Sequence, residues 1–179
     1  MDWIGHHNDI AHWSIGADNA GPLSVEAVDW KYPATQVYDT PRDYEIVCQY
    51  PDNIQTSISS QHQLGTKWIG DEGWVYVNRG KLTASDTRLV AKDFERGKER
   101  LFASPGHMQN FLDCVRSRDT CVAPAEIAHR SITPGYLGYV SHQLGKKLDW
   151  DANSERIVND EEANRLLNHN PYRKPWSSG

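Results

Sequence analysis

Four side chains capable of chemistry recur at helical spacing near the start of the chain, namely Asp2, His6, Asp9 and Trp13. At about 100° per residue, the four lie within roughly 60° of one another on one helix face. That face presents an acid, an imidazole, a second acid and a large aromatic ring. An imidazole between two carboxylates is held in one tautomer, which suits proton transfer. The spacing therefore predicts a catalytic site on Asp2, His6 and Asp9. The alternative is a solvated helix with paired charges.

The same side chains also form a ligand set for a divalent metal, because Zn²⁺ and Mn²⁺ accept imidazole and carboxylate ligands. His129, in the second long helix that the sequence predicts, can supply a further imidazole from across the fold. The sequence thus predicts a Zn²⁺ or Mn²⁺ site on His6, His7, Asp9 and His129. The alternatives are a surface or hydrogen-bonded role for His7 and His12, which lie off the face, and a structural role for His129.

The composition argues against several classes of function. The 179 residues carry a net charge of −5 and contain no run of basic side chains, so the sequence predicts no nucleic-acid partner. No apolar run approaches the roughly 18 residues of a membrane span, which predicts no membrane partner. The three cysteines include no CxxC pair, a pattern typical of reduced thiols in a cytoplasmic protein.

The periodicity of the apolar residues predicts a helix, then a run of strands, then further helices. The predicted helices cover residues 2–15, 104–118, 123–145 and 160–168, and the predicted strands cover 23–30, 44–50, 53–60, 73–77 and 83–90. This order indicates a single α+β domain over residues 1–179, with an open, mainly antiparallel sheet covered on one face by helices. No G-x-G-x-x-G motif follows a strand, so the sequence predicts no nucleotide-binding half.

Five motifs in this order resemble one protein family. They are DWIGHHNDIAHWSIG (2–16), GTKWIGDEGWVYVNRG (65–80), HMQNFLDCVRSR (107–118), AEIAHRS (125–131) and DEEANRLL followed by PYRKPW (160–176). The first motif looks like the segment that opens the C-terminal domain of the glucose-fructose oxidoreductase / inositol dehydrogenase (Gfo/Idh/MocA) family, with the pattern D-x-x-x-H-x-x-D-x-x-x-W. The resemblance covers essentially the whole chain.

The resemblance implies a two-domain enzyme. An N-terminal Rossmann domain binds NAD(P), and a C-terminal α+β domain with an open sheet binds sugar-like substrates and mediates oligomerisation. In the family, an Asp and a His that match Asp2 and His6 handle the proton of the oxidised hydroxyl together with a lysine of the first domain. Asp9 matches a third, substrate-contacting acid. The expectation is that residues 1–179 lack the Rossmann domain and transfer no hydride unless such a domain is supplied with NAD(P).

Three functional hypotheses follow for the chain. In the first, it is a stand-alone truncated domain whose exposed His/Asp cluster binds a divalent metal and hydrolyses activated esters or phosphoesters. In the second, it is a non-catalytic sugar-binding or oligomerisation module. In the third, it is the excised half of an NAD(P)-dependent sugar oxidoreductase. All three involve a small-molecule substrate, sugar-like or ester. The seven Trp and eight Tyr residues favour a homo-oligomer that forms through the sheet face.

Overall fold

The computed structural model describes residues 2–35, 37–94 and 102–168, except for the side chains of Asp2 and Trp3. The helices are α1 (Asp2–Ile15), α2 (His107–Ser117), α3 (Ala125–Leu144) and α4 (Glu161–Leu167). The strands are β1 (Ser24–Lys31), β2 (Asp43–Gln49), β3 (Gln55–Ser59), β4 (Thr66–Gly70), β5 (Gly73–Asn78), β6 (Lys81–Ala84), β7 (Leu148–Asp151) and β8 (Arg156–Ile157). Within these ranges, no helix combines the length and the apolar character that crossing a bilayer requires.

The strands form two antiparallel sheets. One has five strands in the order β3-β2-β1-β7-β8, and the other has three strands in the order β4-β5-β6. The predicted α+β class with an open antiparallel sheet is therefore confirmed. The prediction of one strand over residues 83–90 is wrong, because β6 ends at Ala84 and Thr87–Val90 is a 3₁₀ turn. The Asp86 side chain caps this turn by accepting a hydrogen bond from the Arg88 N–H.

The core lies between α3 and the five-stranded sheet. Leu137 of α3 and Val25 and Ile46 of the sheet are fully buried there. The helix approaches the sheet closely at Gly138, where a Cβ atom would lie 2.4 Å from Ile46 Cδ1. A larger residue at this position would force either the Ile46 side chain or α3 to shift. The position of α3 is therefore fixed by packing, which matters because α3 also supports α1.

The first helix packs against α3 on one side and against β4 on the other. It ends at Ile15 and is followed by Gly16, whose φ of 66° is a left-handed conformation that glycine adopts without strain. The Ala17 N–H donates to the His12 carbonyl at 2.9 Å and so satisfies a carbonyl of the last turn. Two grooves that border α1 are described next.

Candidate functional site

One face of α1 borders a groove of about 440 Å³, which we call the His6 groove. His6, Asp9 and Trp13 line it from α1, and residues 122–124 with the first turns of α3 form the opposite wall. Three of the four residues predicted to share a face therefore do share it. Asp2 begins α1, and its side chain lies outside the described part of the structure.

Within the His6 groove, the Asp9 carboxylate is held by α3. The Ser131 hydroxyl lies 2.8 Å from Asp9 Oδ1 and 2.9 Å from the Ile127 carbonyl, so it can donate its hydrogen to either acceptor. Ser131 is 1% exposed, and a buried hydroxyl needs a partner. The charged acceptor gives the stronger bond of the two. This contact orients Asp9 toward the groove and ties α1 to α3.

His7 lies on the other side of α1, in a second groove of about 340 Å³ between α1, β3 and residues 62–66. The Thr66 hydroxyl donates to the His7 carbonyl at 2.9 Å, which joins β4 to α1. Burial lowers the pKa of His7, and the charges of His6 and Arg79 lower it further, whereas the Asn78 side chain, as a hydrogen-bond acceptor, raises it. These effects together favour the neutral form of the His7 imidazole.

His12 faces away from both grooves and into the core, where it is fully buried. Its Nε2 lies 2.7 Å from the Tyr50 hydroxyl and 3.2 Å from Asn8 Nδ2, and Asn8 Nδ2 also donates to the Ser131 carbonyl at 2.8 Å. Burial lowers the pKa of His12 to about 4, although the Asp9 charge opposes this shift. A neutral Nε2 can accept from both neighbours. His12 thus has the hydrogen-bonded role that the sequence offered as an alternative.

Sequence reasoning missed three residues that position the site, namely Asn8, Tyr50 and Ser131. Asn8 precedes His12 by four residues, so the two share a helix face, and this spacing is a signal that the sequence contains. Ser131 ends the family-like motif at residues 125–131. Tyr50 lies 38 residues from His12, and nothing local connects the two.

His129 does not reach the His6 groove. Its Nε2 lies 3.0 Å from Glu155 Oε1 in an exposed hydrogen bond, and the same carboxylate lies 3.4 Å from Arg130. Arg130 also donates to the Ala152 carbonyl. His129 is thus part of a polar cluster that joins α3 to the segment after β7.

The structure does not assemble the predicted metal site on His6, His7, Asp9 and His129. Among the described residues, no three His, Cys, Asp or Glu side chains are grouped so that they can hold a metal ion. The reason is helical geometry, because adjacent residues point about 100° apart and so His6 and His7 face different grooves. His129 precedes Ser131 by two residues, which turns it about 200° away from the side of α3 that faces Asp9.

The comparison with protein-family models gives one match. The model for the oxidoreductase family, C-terminal alpha/beta domain (GFO_IDH_MocA_C2), matches residues 1–178. No curated protein sequence matches the chain.

The fold resembles that of a solved dehydrogenase. The crystal structure of the WlbA dehydrogenase from Bordetella pertussis, in complex with NADH and UDP-GlcNAcA, superposes with a TM-score of 0.54 at 16% sequence identity. The match covers 84% of this chain and 45% of the WlbA chain. This chain therefore spans less than half the length of that dehydrogenase.

Proposed function

Since this chain belongs to the Gfo/Idh/MocA oxidoreductase family, as its C-terminal α/β domain, we propose that it is the substrate-binding domain of an NAD(P)-dependent sugar oxidoreductase. The observation that carries the proposal is the His6 groove, where His6 and Asp9 share one wall and Asp9 is fixed by a buried serine. An exposed imidazole beside an oriented carboxylate is suited to bind a sugar hydroxyl and to move its proton.

The proposal gives each acidic or basic residue of the family pattern a role. His6 accepts the proton of the hydroxyl that is oxidised, and Asp2 is its partner in proton transfer. Asp9 accepts hydrogen bonds from a neighbouring hydroxyl of the sugar, and Ser131 holds Asp9 in position. Trp13 lies on the same wall and is 40% exposed, so its ring can cover the apolar face of a pyranose.

The proposal assigns no cofactor-binding role to the described residues. Dinucleotides bind where a glycine-rich loop joins a strand to a helix. In this structure, the glycines Gly70 and Gly73 instead pair across a hairpin between β4 and β5. The proposal therefore assigns NAD(P) to a separate nucleotide-binding domain and predicts no hydride transfer by residues 1–179 alone.

The other functional hypotheses differ in their support. Metal-dependent hydrolysis depended on the His6, His7, Asp9 and His129 ligand set, which the structure does not assemble, and we do not propose it. A non-catalytic sugar-binding module uses the same groove and differs only in lacking the proton-transfer role of His6. The sugar-like substrate agrees with the UDP-GlcNAcA bound by WlbA. Assembly of copies through the sheet face stays a prediction.

Sugar binding to the purified chain tests the proposal. Saturation-transfer NMR with glucose and myo-inositol should show binding that is lost in His6→Ala and weakened in Asp9→Asn. His129→Ala is the matched control, because it removes an exposed histidine outside the groove and should leave binding unchanged. NAD⁺ should give no saturation transfer. Absence of sugar binding, or equal binding by wild type and His6→Ala, would show that the groove is not the substrate site.

A further inference from the structure

The second helix has one covered stripe. Asn110 of α2 is buried and Cys114, one turn further along, is half-buried, whereas the rest of α2 is exposed. Residues four apart are neighbours on a helix surface, so the two side chains share a face. The segment after the helix lies on this face, because the Val122 N–H donates to Asn110 Oδ1 at 2.9 Å. The chain therefore doubles back along α2.

The reversal takes place at Arg118. This residue follows α2 with a φ of 66°, and its N–H donates to the Cys114 carbonyl at 2.8 Å, which closes the last turn. At a rise of about 1.5 Å per residue, the return from Arg118 to the level of Asn110 spans roughly 12 Å, which four residues cover only when they are almost fully extended. The segment therefore runs straight back along the helix, and Cys121 passes between the levels of Asn110 and Cys114.

This path places Cys121 beside Cys114. Both are half-buried, and both are free thiols. Side chains on a helix lean toward its N-terminus, so the thiol of Cys114 leans toward the level of Cys121. Burial raises the pKa of the Cys114 thiol and the charge of Cys121 raises it further, which agrees with this placement. The two cysteines thus form a pair, which we call the α2 dithiol.

The α2 dithiol adjoins the His6 groove. Cys121 is directly followed by residues 122–124, which form the wall of the groove opposite His6. The hydrogen bond from Val122 to Asn110 ties this wall to α2. A covalent bond from Cys121 to the helix adds a second tie, one residue away from the first.

We infer that Cys114 and Cys121 are a modification site, which a hydroperoxide oxidises to a disulfide, and that this disulfide fixes the wall of the His6 groove. Facing cysteines on a helix and on the segment packed against it meet the requirement that a disulfide places on the distance between the two Cα atoms, which is usually about 4.4–6.8 Å. The inference goes beyond the proposed function and does not depend on it.

The reaction has two steps. The Cys121 thiolate attacks the peroxide, the O–O bond breaks, and the departing hydroxide takes up a proton to form water, which leaves a sulfenic acid on Cys121. The Cys114 thiolate then attacks Cys121 Sγ, so that the S–S bond forms, the S–O bond breaks and a second water leaves. The two thiols lose two electrons and the peroxide gains them. Cys121 reacts first because the raised pKa of Cys114 leaves less thiolate there.

Mild oxidation of the purified, reduced chain tests the inference. After treatment with a small excess of hydrogen peroxide, thiol titration should fall from three thiols to one. Trypsin cuts after Arg116 and Arg118, between the two cysteines, so peptide mapping without reductant should find their peptides linked and lighter by two hydrogens. Cys48 should stay a thiol, because it is fully buried and burial raises its pKa to about 12.

Amide hydrogen exchange tests the effect on the groove. The Val122 N–H is bonded to Asn110, and it exchanges only when the wall opens. In the oxidised chain, we expect its exchange to slow by about tenfold, because the disulfide restricts this local opening. Addition of dithiothreitol should restore the original rate.

Variants identify the two partners. Cys114→Ser and Cys121→Ser should form no disulfide within the chain, and Cys114→Ser should instead accumulate a sulfenic acid on Cys121 that dimedone traps. Cys48→Ala is the matched control and should form the disulfide as the wild type does. Oxidation of the wild-type cysteines to unlinked acids, or linkage between two chains in place of one, would overturn the inference. An unchanged Val122 exchange rate in the oxidised chain would overturn it as well, because the disulfide then does not fix the wall.

Discussion

The two ends of α1 carry the same residue types in opposite environments. His6 and His7 border open grooves, whereas His12, less than two turns further along, is fully buried against Tyr50. A histidine near the helix start can meet a ligand and exchange a proton with it. His12 instead stays neutral and joins the helix to the sheet. Burial, and not residue type, therefore separates the histidines that can do chemistry from the one that holds the site in place.

The buried end of α1, at His12, supports the open end through a short series of hydrogen bonds. Asn8 lies between His12 and the Ser131 carbonyl, and the Ser131 hydroxyl reaches Asp9. Asn8, His12 and Ser131 are polar residues in the core, where an unpaired donor or acceptor is costly. The contacts therefore select one orientation of α1 against α3, and with it one orientation of the Asp9 carboxylate in the His6 groove.

The contrast between the two ends of α1 predicts that removal of the buried His12 has the largest effect on stability. His12→Ala leaves a cavity and an unpaired Tyr50 hydroxyl, which should lower the free energy of unfolding by about 2–4 kcal/mol. His6→Ala, at an exposed position, should change it by no more than about 0.5 kcal/mol. Urea denaturation of both variants measures the difference. If His12→Ala and His6→Ala lowered the free energy of unfolding by similar amounts, the two ends of α1 would not differ as the structure indicates.

The next effect is a pH dependence of stability that His12 should cause. The pKa of His12 falls from 6.5 in the unfolded chain to about 4 in the folded one. Between pH 6.5 and pH 4, the imidazole is therefore protonated mainly in the unfolded state. The free energy of unfolding should therefore decrease as the pH falls from 6.5 to 4, by about 3 kcal/mol from this group. Denaturation at a series of pH values measures it.

His12→Gln provides the control, because glutamine keeps a hydrogen-bonding side chain that does not titrate. Burial and the Asp9 charge raise the pKa of Asp18, which acts in the opposite sense and favours the folded state at low pH. Asp18 is present in both proteins, so the difference between their pH profiles isolates His12. Parallel profiles for wild type and His12→Gln would contradict the assignment.

The smallest expected change in stability comes from Ser131, which links the buried end of α1 to its open end. Ser131→Ala removes the hydrogen bond to Asp9 and should lower the free energy of unfolding by about 1 kcal/mol, while also weakening sugar binding. Ser141→Ala is the matched control, since Ser141 is equally buried on α3 and its hydroxyl bonds the Ala27 N–H and the Lys146 carbonyl. It should lower stability to a similar extent and leave sugar binding intact. Equal effects on binding would mean that Ser131 has a purely structural role.

Much of the fold could be predicted from local signals. The helix bounds of α1 and α3 and the order of the main strands follow from apolar period and turn residues. The end of β6 was missed, because the turn after it depends on an Asp86 cap within a run that also suits a strand. The division of the strands into two sheets was missed as well, because β3 and β4 are consecutive in the chain and no local signal shows that they do not pair.

For the site, local spacing was enough to predict that Asp9, His6 and Trp13 share a face, because the helical period is a property of the backbone. The same spacing places the family pattern D-x-x-x-H-x-x-D-x-x-x-W on that face. Which face of α1 is open, and the contact between Ser131 and Asp9, could be learned from the folded molecule alone. It also showed that His129 turns away to Glu155. These outcomes depend on how α3 packs on the sheet and crosses α1, and such packing is set by contacts more than a hundred residues apart in the chain.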